Sequence, residues 1–279
     1  MRRVYGDELK KIQLDILAVV ADFCDKNGIS YWIDCGTLLG AIRHRGYIPW
    51  DDDIDVGMLR PDYDRFMQLF NSENERYKFF SIENNENFYY AHGKVLDTTT
   101  VLYEPDIRGN KLSINIDIFV YDNAPNDDKK VEAMYNKRDF FRALHVQRNS
   151  NYTPRGSFFR RSCVYILRYV LKPFPKNYFI KRLLSNSKKH VHDETARVGN
   201  FTSYSRMVCD KSVFKSFITA EFEGRYYKIP IGYDAWLRAF YNDYMVLPPE
   251  DKRVSHHQFE AYVQDDEREK YESFNIRCV

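Results

Sequence analysis

The stretch GYIPWDDDIDVG, Gly46 to Gly57, places four acids in five positions between apolar flanks. An exposed acidic turn has this composition, and so does a metal site at the entrance of a strand. Side chains alternate faces along a strand, so Asp53 and Asp55 share one face and Asp51 lies near them at the strand entrance. Ile54 and Val56 then point into the core. Asp52 has the parity of the core face, but at the loop end it can turn out to solvent. Two neighbouring carboxylates repel, and a divalent cation or a proton relieves the repulsion. Oxygen-only ligands suit Mg²⁺ or Mn²⁺, which keep waters and accept substrate phosphates.

The flanking chain reads as alternating helix and strand. Leu9, Ile12, Ile16, Val19, Val20 and Phe23 recur at helical spacing, and Gly28 closes that helix as a left-handed cap. ISYWID is a strand. GTLLGAIRH opens a short helix at Gly36 and Thr37, with Thr37 as the expected cap. RPDYDRFMQLF is a helix opened by Pro61. YKFFSI, AHGKVLD, TTVLY and INIDIFVYD are strand-like. NAPNDD starts a helix that runs to about Arg148.

Two features turn the acidic stretch toward chemistry. Gly36-Thr37 at a helix start offers backbone N–H groups to an anion. Asp117 lies inside INIDIFVYD with apolar residues on both sides, a costly place for a carboxylate without a partner. Together with Asp53 and Asp55 they make a metal–phosphate constellation.

The chain has 279 residues, 44% hydrophobic, and a formal charge of +2. That length sustains a substantial core, and the near-neutral balance points away from nucleic acid. Five scattered cysteines without a CxxC argue for a reducing compartment rather than a disulfide framework or a zinc knuckle. MRRVYGDELKKIQ lacks the apolar segment of a signal peptide, and no run approaches the length of a membrane span. Residues 148–192 hold eleven Lys/Arg and no Asp/Glu, with Phe158, Phe159, Tyr165, Ile166, Tyr169 and Val170 interleaved. Three readings stay open for that stretch: a solvated face, a site for an anionic acceptor polymer, or a contact with an anionic membrane, the last fitting a lipid-linked acceptor best.

YWIDCGTLLGAIRHRGYIPWDDDIDVGMLRPDYDRF resembles the LicD family, most closely through GTLLGAIRH and IPWDDDID. AHGKVLDTTT, INIDIFVYDNAP and YYKIPIGYDAWLRAFYNDYMVLPPEDKR continue the likeness. The resemblance implies an α/β (α+β) fold with a nucleotidyltransferase-like mixed sheet core and a mostly helical C-terminal half. The organisation expected is a single LicD-type transferase domain over 1–279: a core over 1–147, a basic helical variable insert over about 148–195, and a C-terminal family element over about 196–279.

The activity implied is metal-dependent transfer of a phospho-alcohol group, phosphocholine first among them. The donor would be CDP-linked, with CDP-choline favoured. The acceptor would be a glycan or lipid-linked glycan of lipopolysaccharide, capsule or teichoic acid. The resemblance places Gly36 and Thr37 at the donor phosphates and makes Asp53 and Asp55 the metal pair. Asp117 becomes the third acid, which ligates a second metal or takes the proton of the attacking hydroxyl. The location expected is cytoplasmic, with peripheral contact at the inner face of the membrane. Two alternatives stand beside this: transfer of a whole nucleoside monophosphate, and a non-catalytic glycan- or membrane-binding module.

Position beside the site favours a phosphate role for Arg43 over a solvated helix end. Lys94 reads either as a donor contact or as a surface lysine. Cys35 stands before Gly-Thr where a small residue is expected, and Asn242 stands where Gly is usual, a substitution a left-handed turn tolerates. Tyr233, Trp236, Phe240 and Tyr244 form a helical stripe, read as core before ligand cage. His190, His192 and His257 read as solvated or packing side chains, and His256 is kept as an acceptor-site candidate.

Overall fold

The computed structural model describes residues 1–104, 111–150, 152–254 and 259–264. A short strand β1 (Arg2–Val4) leads into helix α1 (Asp7–Asn27), which Gly28 ends with φ 59°. A left-handed φ of that kind is open to glycine without steric cost, so the helix stops where the sequence says it should. Strand β2 (Trp32–Ile33), helix α2 (Cys35–His44) and strand β3 (Asp55–Leu59) follow. Helix α3 (Arg60–Glu73) starts on Pro61, which lacks the N–H that a first turn cannot use. Strands β4 (Tyr77–Phe80), β5 (Gly93–Asp97), β6 (Thr100–Tyr103), β7 (Lys111–Leu112) and β8 (Asn115–Ala124) complete the first half.

Helices α4 (Asp128–Asn149), α5 (Phe158–Leu171) and α6 (Tyr178–Ser187) come next, and the sequence KPFPK separates the last two. The helical part of the second half is concentrated here. Beyond it the chain returns to strands that the hydrophobic pattern did not reveal: β9 (Arg197–Asn200), β10 (Met207–Asp210), β11 (Phe217–Phe222) and β12 (Arg225–Pro230). Helix α7 (Tyr233–Tyr241) and strand β13 (Glu260–Val263) end the described chain. These strands are short and paired to distant partners, so little in their local sequence marks them.

The sheet is built around β8. It runs parallel to β3 on one side, with Asp55 opposite Asp117 and Val56 opposite Ile118. On its other side β5 pairs antiparallel with the first half of β8, and β9 with the second half. β2 extends the sheet beyond β3, β4 beyond β5, and β10 beyond β9. A second sheet has the order β1-β13-β6-β7, so both ends of the described chain meet there.

Alternation along β3 and β8 separates core from site. Ile54, Val56, Ile116 and Ile118 are buried to 1% exposure or less, against Ile16, Leu17, Val20 and Phe66 in one continuous core. Each such side chain contributes about 1.5–3 kcal/mol of transfer free energy.

Charge is buried at a second place. Arg60, at the start of α3, forks onto Asp122 of β8 with Nε···Oδ1 at 2.6 Å and Nη2···Oδ2 at 3.0 Å. The Ser187 hydroxyl of α6 also donates to Asp122. This pair joins α3, β8 and α6 at one point. Without Asp122 the buried Arg60 keeps, among the described residues, only Asp64 at 3.2 Å and Glu83 at 3.6 Å, so Asp122→Ala is expected to cost about 3 kcal/mol, the low end for a broken buried pair. Urea unfolding checks this, and a midpoint unchanged from the parent would refute it.

Candidate active site

The site forms where α2 begins beside the row of acids. Asp34 caps α2, its carboxylate accepting from the Cys35 N–H at 2.9 Å. The cap is therefore Asp34 and not Thr37. Thr37 acts elsewhere, where its Oγ1 accepts the Asp55 N–H at 2.9 Å and pins the helix start to the first residue of β3. Asp34 is fully buried and also accepts from the Tyr121 hydroxyl and, at 2.9 Å, from Trp236 Nε1. Burial raises its carboxyl above the ordinary range, against the lowering effect of these donors. Cys35 follows with φ 46°, a strained value for a residue with a Cβ.

The acids stand close to this turn. A Cβ placed on Gly36 would lie 2.5 Å from Asp51 Oδ2, so only glycine lets the Asp51 carboxylate approach the backbone here. Burial pushes the Asp55 carboxyl well above its ordinary value, and the charges of Asp53, Asp117 and Asp51 push it further. Asp52 turns away, as its parity and loop position allow. It lines a cleft with Arg3, Tyr5 and Lys10, and Gln13 Nε2 holds its carbonyl at 2.9 Å.

Across the sheet, Asp55, Asp117 and Lys94 occupy one row on β3, β8 and β5. Lys94 is buried. Its Nζ donates to Asp117 Oδ1 and, at 3.0 Å, to Asn115 Oδ1, and it sits 4.6 Å from the Tyr90 ring centroid. His92 Nε2 lies 3.1 Å from Asp117 Oδ2. Burial alone would raise the Asp117 carboxyl, but Lys94 and His92 outweigh it and hold the group well below the usual carboxylate range. Burial lowers the His92 imidazole despite Asp117. Asp117 is thus a fixed, charged acceptor with lone pairs left over.

The structure brings Gly36, Thr37, Asp53, Asp55, Asp117 and Lys94 to one place. Arg43 stands at the other end of α2, within electrostatic reach of the Tyr241 phenol. Arg43 lies in the last turn of α2, and its Nη1 donates to the Tyr244 carbonyl at 2.7 Å. The guanidinium thereby ties α2 to the loop after α7. The candidate His256 lies outside the described residues, as do His257 and Cys278. His190 pairs with Asp193 at 2.6 Å. Trp236 of the aromatic stripe is core, packed 5.4 Å from Phe214 and 5.5 Å from Tyr121. Asn242 has φ 54°, but its ψ of −117° puts it outside the left-handed helical region expected for the turn.

Four residues near the acids escaped the sequence reading: Asp34, Tyr121, His92 and Tyr241. Tyr241 is 40% exposed over the whole residue. Its phenol is nevertheless raised well above its ordinary value, by desolvation and then by Cys35, Asp55, Asp34 and Asp51. Asp34 was visible as the acid before Cys-Gly-Thr, a cap position; no local signal marks the other three.

The donor set fits a hard divalent cation. Among the described residues no group of three or more His, Cys, Asp or Glu forms a metal site on its own. Asp55, its charge opposed by burial and by nearby acids at the start of a helix, has the hard oxygen donors that a divalent cation would take.

The fold is a mixed sheet with acids clustered at the start of a short helix. The sequence matches the family LicD/FKTN/FKRP, nucleotidyltransferase domain, over residues 28–179. It is 32% identical over 272 residues to the lipopolysaccharide cholinephosphotransferase LicD of Haemophilus influenzae, covering 94% of this chain and 100% of that protein. It is 46% identical over 46 residues to the human ribitol 5-phosphate transferase FKRP, which is 16% of this chain and 9% of that one. The chain belongs to the LicD/FKTN/FKRP family.

The crowding of carboxylates has a measurable consequence. Asp55 binds its proton more tightly in the folded state than in the unfolded chain, so in divalent-free buffer its contribution to stability falls as pH rises above about 4. Asn carries no charge. Asp55→Asn should therefore gain on the parent between pH 4 and pH 7, as read by urea midpoints with a chelator present. A difference independent of pH would show that Asp55 is not under this stress.

Proposed function

We propose that this chain transfers a phospho-alcohol group, phosphocholine foremost, from a CDP-linked donor to a hydroxyl of a cell-surface glycan. The reading is carried by likeness to a cholinephosphotransferase along that protein's whole length, with the acids, Gly36 and Thr37 gathered at one site.

In the transfer, the acceptor oxygen forms a bond to the phosphorus that bears the alcohol. The bond from that phosphorus to the CMP oxygen breaks, and CMP departs with the electron pair. The acceptor proton passes to solvent or to a nearby base. The N-terminus of α2 presents backbone N–H groups and the positive end of the helix dipole to the diphosphate. Asp53 and Asp55 would hold Mg²⁺ or Mn²⁺, whose charge would offset that of the diphosphate. Lys94 keeps Asp117 ionised, and Asp117 can accept a hydrogen bond from the attacking hydroxyl and orient it. Because Lys94 and His92 hold Asp117 as a carboxylate, orientation suits it better than strong general-base work. Tyr241 lies within electrostatic reach of the same acids, and its phenol would be available to donate to a phosphate oxygen bound there.

Asp53→Asn and Asp55→Asn should fold and lose transfer by about a hundredfold or more. Mass spectrometry of the acceptor identifies the cargo: a gain of phosphocholine or another phospho-alcohol supports the reading, and a gain of a whole nucleoside monophosphate overturns it. Mn²⁺ with a CDP-alcohol should raise the melting temperature of the parent and raise that of Asp55→Asn much less. Equal shifts would remove Asp55 from the metal site.

A further inference from the structure

We propose that α5 docks this protein on an anionic lipid surface, inserting an apolar face that the fold leaves uncovered. A helix at the surface of a water-soluble protein normally turns its apolar stripe inward. α5 does the reverse. Only Leu171 is buried along it, and Arg168, which faces α4, is held there by Gln147 Oε1 at 3.2 Å and the Tyr152 carbonyl at 2.9 Å. Phe158, Phe159 and Tyr169 are 79%, 78% and 78% exposed, and Tyr165, Ile166 and Val170 are exposed beside them. At about 100° per residue these six fall within an arc of about 140° on the side away from Leu171.

Charge identifies what covers this face. Arg161 and Lys172 border one edge of the stripe, Arg160 lies round the helix near Leu171, and residues 148–192 carry eleven basic side chains and no acid. Lys181 and Lys188 pair with Glu86 and Glu83. Arg160, Arg161 and Lys172 form no ion pair among the described residues. An apolar stripe with a cationic margin, set in a segment without acids, matches the boundary between acyl chains and anionic headgroups. A second copy would bring the same cations against themselves. A hydrophilic anionic polymer would leave Phe159, Ile166 and Val170 in water. Among the described residues no helix is long and apolar enough to cross a membrane, so contact through α5 is interfacial.

α5 packs on α4. α4 carries Arg142 and His145 into a pocket shared with Tyr89, Tyr90 and His92, next to Asp117. Docking would thus hold the acids one helix layer from the lipid, where a lipid-linked acceptor presents its sugar. That consequence rests on the transfer reading; the docking does not.

Flotation of the full chain with vesicles needs no substrate, so its outcome is independent of the activity. Vesicles of equal parts phosphatidylglycerol and phosphatidylcholine should carry the protein, and phosphatidylcholine alone should carry far less. Phe158→Ser with Phe159→Ser and Ile166→Ser should keep the parent melting temperature, since these side chains are exposed, and lose binding about tenfold or more. Arg161→Glu with Lys172→Glu should lose about tenfold at low salt. Cys163 lies exposed at the margin of the same arc, whereas Cys24, Cys35 and Cys209 are not exposed. In a Cys278→Ser background, an environment-sensitive dye on Cys163 should shift to the blue with anionic vesicles. Three outcomes would overturn the proposal: no flotation with anionic vesicles, equal flotation of parent and variants, or vesicle-independent self-association that the serine variant abolishes.

Discussion

The parallel pairing of β3 with β8 is the constraint on which this molecule turns. It sets Asp55 beside Asp117 on one face and Val56 beside Ile118 on the other. A slip of one residue would send carboxylates into the core and isoleucines into the site. The core residues therefore enforce the register that the acids need. The electrostatic cost of that register is met locally. Lys94, opposite Asp117 on β5, supplies the balancing cation from a third strand of the same row. Asp55 is surrounded differently: burial and four nearby acids, Asp53, Asp117, Asp51 and Asp34, make it a point where added positive charge helps.

Asp34 is the second fixed point. It starts α2, receives hydrogen bonds from β8 through Tyr121 and from α7 through Trp236, and precedes the strained Cys35. The segment after residue 196 is thereby part of the site's frame. Trp236 reaches Asp34, the Tyr244 carbonyl receives Arg43, and Glu223 Oε1 accepts the Tyr47 N–H at 3.0 Å just before the acidic stretch. These contacts explain in physical terms why the motif around YDAWLRAFYNDY accompanies GTLLGAIRH although the two are some two hundred residues apart.

Much of this was legible in the sequence. Apolar spacing located α1, with Gly28 as its end, and Pro61 located the start of α3. Alternation in DDDIDV separated Asp53 and Asp55 from Ile54 and Val56, and the loop position, against its core-face parity, let Asp52 turn out. An acid inside INIDIFVYD announced a partner for Asp117. The identity of that partner was not legible. Lys94 and His92 come from a strand and its approach that meet β8 only after the chain has folded back. What Arg43 meets was not legible either: at the last turn of α2 its guanidinium holds the Tyr244 carbonyl and lies within electrostatic reach of Tyr241, both some two hundred residues away.

By itself the sequence determined the family, the helix ends, and which acids face away from the core, because capping, φ preference and side-chain alternation act over a few residues. Tertiary structure alone decided which charges meet. It put Lys94 on Asp117, Trp236 on Asp34, Arg60 on Asp122, and the apolar stripe of α5 on the outside. Each of these depends on strands and helices distant in sequence becoming neighbours, and local propensity carries no record of such pairings.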